Sequence, residues 1–220
     1  MMDKLRLRFS KTGRAIYISH LDLMHTMQRA FSRAGYALRY SEGFNPHPQI
    51  SIALPLSVGA ASLCEIMDFR LKEEPDLKVL PERLTAALPE GIRVIEAYEA
   101  VRKTAQLKWL AVEGVMEYDE RDAQEMARAL TAFYAADAVV ITKKTKRGVG
   151  ETDIRPGIRE IAFEAGEKAV RVRAVVSAQE PTINPELLAE ALRQLRPEIA
   201  PDFAKFTRIE TYDDEMQFFR

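Results

Sequence analysis

The chain is expected to be an α+β protein made of two tandem ferredoxin-like βαββαβ modules with antiparallel sheets. Three observations lead there. Its 220 residues suit two domains of about 100 residues each. With 47% hydrophobic and 30% charged residues it can bury real cores and lacks the low hydrophobicity of a disordered chain. The order strand, helix, strands, helix, strand can also be read twice along it. The modules are set at residues 1–101 and 107–220, with a linker at 101–106 where Arg102-Lys-Thr interrupts the apolar pattern. One α+β domain with a single large antiparallel sheet is the alternative.

In the first module, residues 4–10 alternate charge and apolarity, the period of a half-buried strand whose polar face is basic through Arg6 and Arg8. Ser19-His-Leu-Asp22 forms a capping box that opens a helix running to about Ala34 and stopped by Gly35. Its apolar stripe is Leu23, Met24, Met27, Ala30, Phe31 and Ala34. Strands are expected at 36–40, 49–56 and 65–72. A helix over 76–88 carries Pro81 in its first turn, and a strand over 92–99 closes the module.

The second module reads as a strand at 107–118, a helix at 120–134 and a strand at 138–142. A long polar loop, the basic loop 143–155, follows with Gly148 and Gly150. Strands at 158–164 and 168–177 flank a hairpin turn at Ala165-Gly-Glu167. A helix at 185–195 capped by Asn184 and a strand at 206–212 complete it.

The segment from Tyr40 to Leu56 carries more turn and hydrogen-bonding residues than a strand connection needs. Ser41, Glu42, Asn45 and His47 surround Phe44, and Pro46 and Pro48 stiffen the backbone. It is read either as a rigid turn whose Asn and His cap backbone groups or as a ligand site on a loop. Tyr17, Ser19, His20, Asn45 and His47 are the ligand-binding candidates. His20, at the first helical position, is a structural cap, an anion contact or a proton-transfer group, and His47 shares the last role if the chain is an enzyme.

Charge is unevenly spread. Residues 1–60 hold eight Lys/Arg against three acids, a balance of +5 in a chain whose net charge is −1. Residues 139–173 hold nine against five. Arg6 and Arg8 with Lys143, Lys144, Lys146 and Arg147 are the RNA-binding candidates, because clustered cations contact phosphates.

Several classes are disfavoured. His20 and His25 lie about 140° apart around a helix, outside the two-His metal geometry, so no metal and no cofactor is expected. No Ser-His-Asp set, GxxxxGK[ST] loop or dinucleotide fingerprint is present. The single cysteine, Cys64, excludes a disulfide framework and any cluster held by this chain's cysteines alone. No apolar run reaches the roughly 18 residues of a membrane span, so a cytoplasmic protein without membrane contact is expected.

Nearly the whole chain resembles an uncharacterised bacterial radical SAM-associated family, found beside or fused to a radical SAM protein. The carriers are Leu5 to Lys11, Tyr17-Ile-Ser-His-Leu-Asp22, the Tyr40–Leu56 segment through Gly-Phe-Asn-Pro-His-Pro, the 143–158 segment with Asp-Ile-Arg-Pro, and Thr207 to Tyr212. The resemblance implies a radical SAM protein as partner and a neighbourhood of RNA-processing functions. The chain itself has no CxxxCxxC motif to hold the catalyst's cluster. More loosely, the layout is similar to RAMP-type CRISPR RNA-processing endonucleases, without their glycine-rich loop near the C-terminus.

The leading functional expectation is an RNA-binding accessory module that presents tRNA or rRNA to a radical SAM enzyme. The alternatives are a metal-independent ribonuclease or RNA-modifying subunit using His20 or His47, and a protein–protein adaptor with no nucleic-acid role.

Overall fold

The computed structural model describes residues 4–145 and 148–220, a mixed α+β fold of antiparallel sheets and four α-helices among the described residues. The chain divides into two compact units, one running to Thr104 and including Arg220, the other spanning Ala105–Phe219. Among the described residues no helix is long and apolar enough to cross a membrane.

Unit 1 holds β1 (Leu5–Lys11), α1 (His20–Arg33), β2 (Ile50–Ile52), β3 (Ala61–Phe69), α2 (Leu80–Ala87) and β4 (Ile92–Glu99). The strands lie in the order β4-β1-β3-β2, each pair antiparallel. Leu5, Leu7 and Phe9 of β1 share a face with Met67 and Phe69 of β3 and Val94 of β4. Leu23, Met27 and Phe31 of α1 and Leu80 and Leu84 of α2 close over them. Each such side chain contributes about 1.5–3 kcal/mol when fully buried, so the apolar stripes hold the helices on that face.

The capping box forms: Ser19 Oγ accepts the Asp22 amide and donates to Asp22 Oδ2 at 2.7 Å. At the far end Gly35 takes a left-handed φ of 82°, and the Tyr36 amide reaches back to the Phe31 carbonyl, a Schellman closure. The strands expected at 36–40 and 49–56 shrink to β2 and two isolated bridges, Leu38 with Leu71 and Tyr40 with Pro48. Pro46, Pro48 and Pro55 lack the N–H groups that a longer ladder needs. β3 begins four residues earlier than its alternation implies, and α2 begins at Leu80 because residues 76–79 form a turn around Asp76.

Unit 2 holds β5 (Trp109–Glu117), α3 (Ala123–Tyr134), β6 (Val140–Thr145), β7 (Gly148–Asp153), β8 (Ile158–Ala165), β9 (Ala169–Ser177), α4 (Glu186–Leu195) and β10 (Phe203–Tyr212). Its main sheet runs β10-β5-β9-β8, again antiparallel throughout. Leu110, Val112 and Met116 alternate inward on β5, with Val170, Val172 and Val176 on β9, while Glu113, Val115 and Glu117 face outward. Tyr134 of α3 stacks on Phe163 of β8 at 5.6 Å and donates to the Leu188 carbonyl of α4 at 2.5 Å.

One element differs in kind from its expectation. The polar loop proposed for 143–155 is a β-hairpin, β6 with β7, paired from Val140 with Asp153 to Thr145 with Gly148. A two-stranded ribbon with both faces mostly wet needs no apolar alternation, which is why its charges read as loop.

Candidate functional site

β1 ends in a tight turn that positions the start of α1. Gly91, at φ 90°, lies so close to this turn that a Cβ there would sit 2.4 Å from the Thr12 carbonyl, and the Thr12 amide donates back to Gly91 at 2.8 Å. A short 3-10 helix, Gly13–Tyr17, follows. Its Ile16 carbonyl accepts both the Lys11 ammonium and the Gly59 amide at 2.9 Å.

Lys11, just past the strand expected over 4–10, is 1% exposed and belongs to β1. Period two carries it onto the face of Leu5, Leu7 and Phe9, a signal present in the sequence. Burial lowers its ammonium pKa, and the buried Glu65 carboxylate opposes that shift. The amine thus anchors the turn that delivers Tyr17, Ser19 and His20.

Tyr17 is 70% exposed, and His20 is half-buried as the first residue of α1. The hydroxyl of Ser19 is committed to the cap. The first N–H groups of a helix have no intrahelical acceptor, so this entrance offers donors and the positive end of a dipole beside His20.

Asn45 and His47 occupy a separate exposed loop. Its stem is tied to the end of β3: Arg39 donates to the Arg70 carbonyl, Arg70 to the Gln49 carbonyl and Gln49 to the Arg39 carbonyl. Its neck is closed by Ser41 and His47. The Ser41 amide donates to the His47 carbonyl at 2.8 Å, Ser41 Oγ accepts the His47 amide at 3.1 Å, and Oγ meets Nδ1 at 2.9 Å. With the hydroxyl donating to Nδ1, the ring proton lies on Nε2. Phe44, at the loop's crest, is wholly exposed at 111% of its reference area.

The structure therefore joins Tyr17, Ser19 and His20 at one helix entrance and Asn45 and His47 in one clipped loop. Three cavities of about 370–510 Å³ are lined by none of these five residues.

Arg6 and Arg8 share a face of β1 as their spacing requires, but that face is largely closed to solvent, with side-chain exposures of 0% and 16%, and burial removes Arg6 from the RNA contacts. The Arg6 side chain is 0% exposed. It binds Asp68 through Nε to Oδ1 at 2.6 Å and NH2 to Oδ2 at 3.2 Å, and donates to the Arg102 carbonyl at 2.9 Å. Lys4 adds a 2.6 Å contact to the same carboxylate. Arg8 lies 3.8 Å from Glu96, which Arg220 also contacts. In this setting burial pushes the Tyr98 phenol up to about 12.

In unit 2, Lys143 and Lys144 lie on β6, while Lys146 and Arg147 fall outside the described residues. The Asp-Ile-Arg-Pro motif is structural. Asp153 Oδ1 accepts the Val139 and Arg155 amides, and the Arg155 guanidinium donates to the Ala136 and Ile158 carbonyls, fastening the ribbon's base to α3 and β8.

A model of one protein family matches residues 4–185. The chain belongs to that family, described as an uncharacterised protein conserved in bacteria, DUF2344. No curated protein matches it. Among solved structures, a chain of a Cbf5-Nop10-Gar1 complex is similar at 10% identity with a TM-score of 0.51, over 94% of this chain and 48% of that one. This chain thus spans about half the length of that protein. An unknown protein from Galdieria sulphuraria (13% identity, TM-score 0.28, 94% of this chain and 98% of that one) lies further off. So does the CRISPR endoribonuclease Cse3 bound to a 19 nt RNA (14% identity, TM-score 0.20, 92% and 98%). Only the first of these likenesses carries weight, and what it supports is the mixed α+β fold.

Proposed function

We propose that this chain is an RNA-binding accessory module, built of two ferredoxin-like units, that presents tRNA or rRNA to a radical SAM partner. The strand orders β4-β1-β3-β2 and β10-β5-β9-β8 support the modular reading, because each places a unit's four main strands in the order fourth, first, third, second.

The RNA reading rests on the loop around Phe44. An aromatic ring held fully in water by a clipped, proline-stiffened loop gains nothing for the fold, whereas it offers a ready stacking face for an unpaired base. Asn45 and His47 flank it with hydrogen-bonding groups. Lys143 and Lys144 on the ribbon, with Lys146 and Arg147 between its strands in sequence, supply phosphate contacts whose strength falls with salt.

One observation favours metal-independent RNA cleavage as a second reading. Ser41 fixes the His47 ring and leaves Nε2 free of that clip, as a proton-transfer group requires.

Titration of a fluorescent single-stranded RNA tests both. Wild-type protein is expected to bind at low salt without cutting the RNA, and Phe44→Ala to weaken binding about tenfold. Equal affinity in both proteins would overturn the stacking role. Cleavage lost in His47→Ala would favour the nuclease, and absence of RNA binding at low salt would favour the protein adaptor. Copurification from native cells checks the radical SAM partner.

A further inference from the structure

The main sheet of unit 2 ends at β8, which among the described residues pairs with β9 alone. An eight-residue edge strand without proline is a template for strand addition unless something blunts it. Arg155 already holds the Ile158 carbonyl at 2.8 Å, so the open part of the edge begins after Ile158. Directly beside it, between β8 and the end of α3, lies a cavity of about 370 Å³ lined by the apolar Tyr134, Ile158, Ile161 and Phe163 together with Arg155, Arg159 and Glu160.

The register separates the two sides of the strand. Glu160 and Glu164 stand opposite Val175 and Arg171 and share the outward face with Ala162, whereas Ile161 and Phe163 stand opposite Ala174 and Val172 on the helix face. Both carboxylates are exposed. Glu164 makes a long, solvated contact of 3.9 Å to Arg171.

We infer that the free edge of β8 takes an extended peptide segment of a protein partner as an added strand. Alternate cationic side chains of the segment face Glu160 and Glu164, and the apolar side chains between them enter the cavity beside Ile161 and Phe163. Main-chain hydrogen bonds along β8 hold the segment, while charge and pocket fix its register.

The same charges argue against other occupants. A second copy pairing antiparallel about Ala162 sets Glu160 against Glu164 twice. An added strand meets these two carboxylates first, because Arg171 and Arg173 lie one strand further in and Arg159 turns back over the Trp109 ring at 5.4 Å. The inference goes beyond RNA binding and does not depend on it.

The probe is a capped peptide alternating lysine and valine, about nine residues long to match the strand, titrated into the full chain by fluorescence anisotropy. A block peptide of the same composition and a glutamate–valine alternating peptide serve as controls. The alternating lysine peptide is expected to bind at least about tenfold more tightly than either control. Its affinity should fall by about tenfold in Glu160→Lys/Glu164→Lys, whose sites are exposed and outside the core. Amide exchange in the wild type should slow across residues 158–165 on binding. Equal affinity for alternating and block peptides, unchanged affinity in the charge-reversed variant, or no slowing at β8 overturns the inference. So does a dimer that the peptide fails to disperse. RNA affinity measured on the same samples tells failure of this inference from failure of the RNA reading.

Discussion

Unit 1 and unit 2 lay their strands in the same order and keep their helices on one face, yet they treat an acid–arginine pair in opposite ways. In unit 1 Arg6 and Asp68, opposite one another on β1 and β3, are sealed from water with side-chain exposures of 0% and 5%. In unit 2 Arg173 and Glu113, opposite one another on β9 and β5, lie 3.4 Å apart with exposures of 72% and 56%. Around the second pair is a shallow concavity of about 500 Å³ that includes Ala111, Ala162, Val175 and Ile209. One unit has made that side of its sheet into architecture and the other leaves it accessible. The candidate ligand-binding residues of unit 1 lie instead in the helix entrance and the Phe44 loop.

The largest effect is expected at Asp68. Asp68→Asn removes the carboxylate that serves Arg6 and Lys4 and strands much of a buried guanidinium charge. A loss of about 3–5 kcal/mol, confined to unit 1, is expected in urea denaturation followed by unit-resolved amide exchange. A loss below about 1 kcal/mol would mean that water reaches Arg6 after all.

Phe44→Ala should leave the fold of unit 1 intact. The loop is closed by Ser41 and His47 rather than by its ring, so the melting temperature should stay unchanged while RNA stacking worth about 1–3 kcal/mol disappears.

Tyr118 in unit 2 tests whether burial acts alike in both units, since its phenol, like that of Tyr98, is pushed by burial up to about 12. The folded chain then holds protons that the unfolded chain releases near 10. The native state binds more protons in that window, and stability falls as pH rises from about 10 to 12. Tyr118→Phe should flatten that fall and cost about 1 kcal/mol at neutral pH through the lost hydrogen bond to the Ile199 carbonyl. Denaturant midpoints across this range decide it. The smallest effect belongs to Glu113→Gln, within about 0.5 kcal/mol and erased by salt, because its partner is solvated.

Much of this layout is legible in the sequence where a local rule acts alone. The Ser19–Asp22 box, the stop at Gly35 and the strand over 92–99 follow from caps, a left-handed turn and alternation. Legibility fails where the deciding contact is distant. Arg6 and Arg8 look like a solvated basic face because nothing near them in sequence announces Asp68, Glu96 or the Arg102 carbonyl. The ribbon was hidden by charge, and the segment around Pro46 and Pro48 kept its polar residues together but formed a clipped loop off a very short strand. Lys11 continues the apolar alternation of β1, but a lysine beside a strand end is ordinarily solvated, so residue type argues against the burial that the fold imposes.

Amide exchange with and without a single-stranded RNA, at low and at high salt, separates an RNA-facing loop from arginines that serve the fold. Slowed exchange is expected at residues 40–48 and 140–153 at low salt, weakened at high salt, with no change along Leu5–Lys11, whose arginines are already engaged within the fold. Protection centred on Leu5–Lys11, or none at the Phe44 loop while RNA is bound, would contradict that placement.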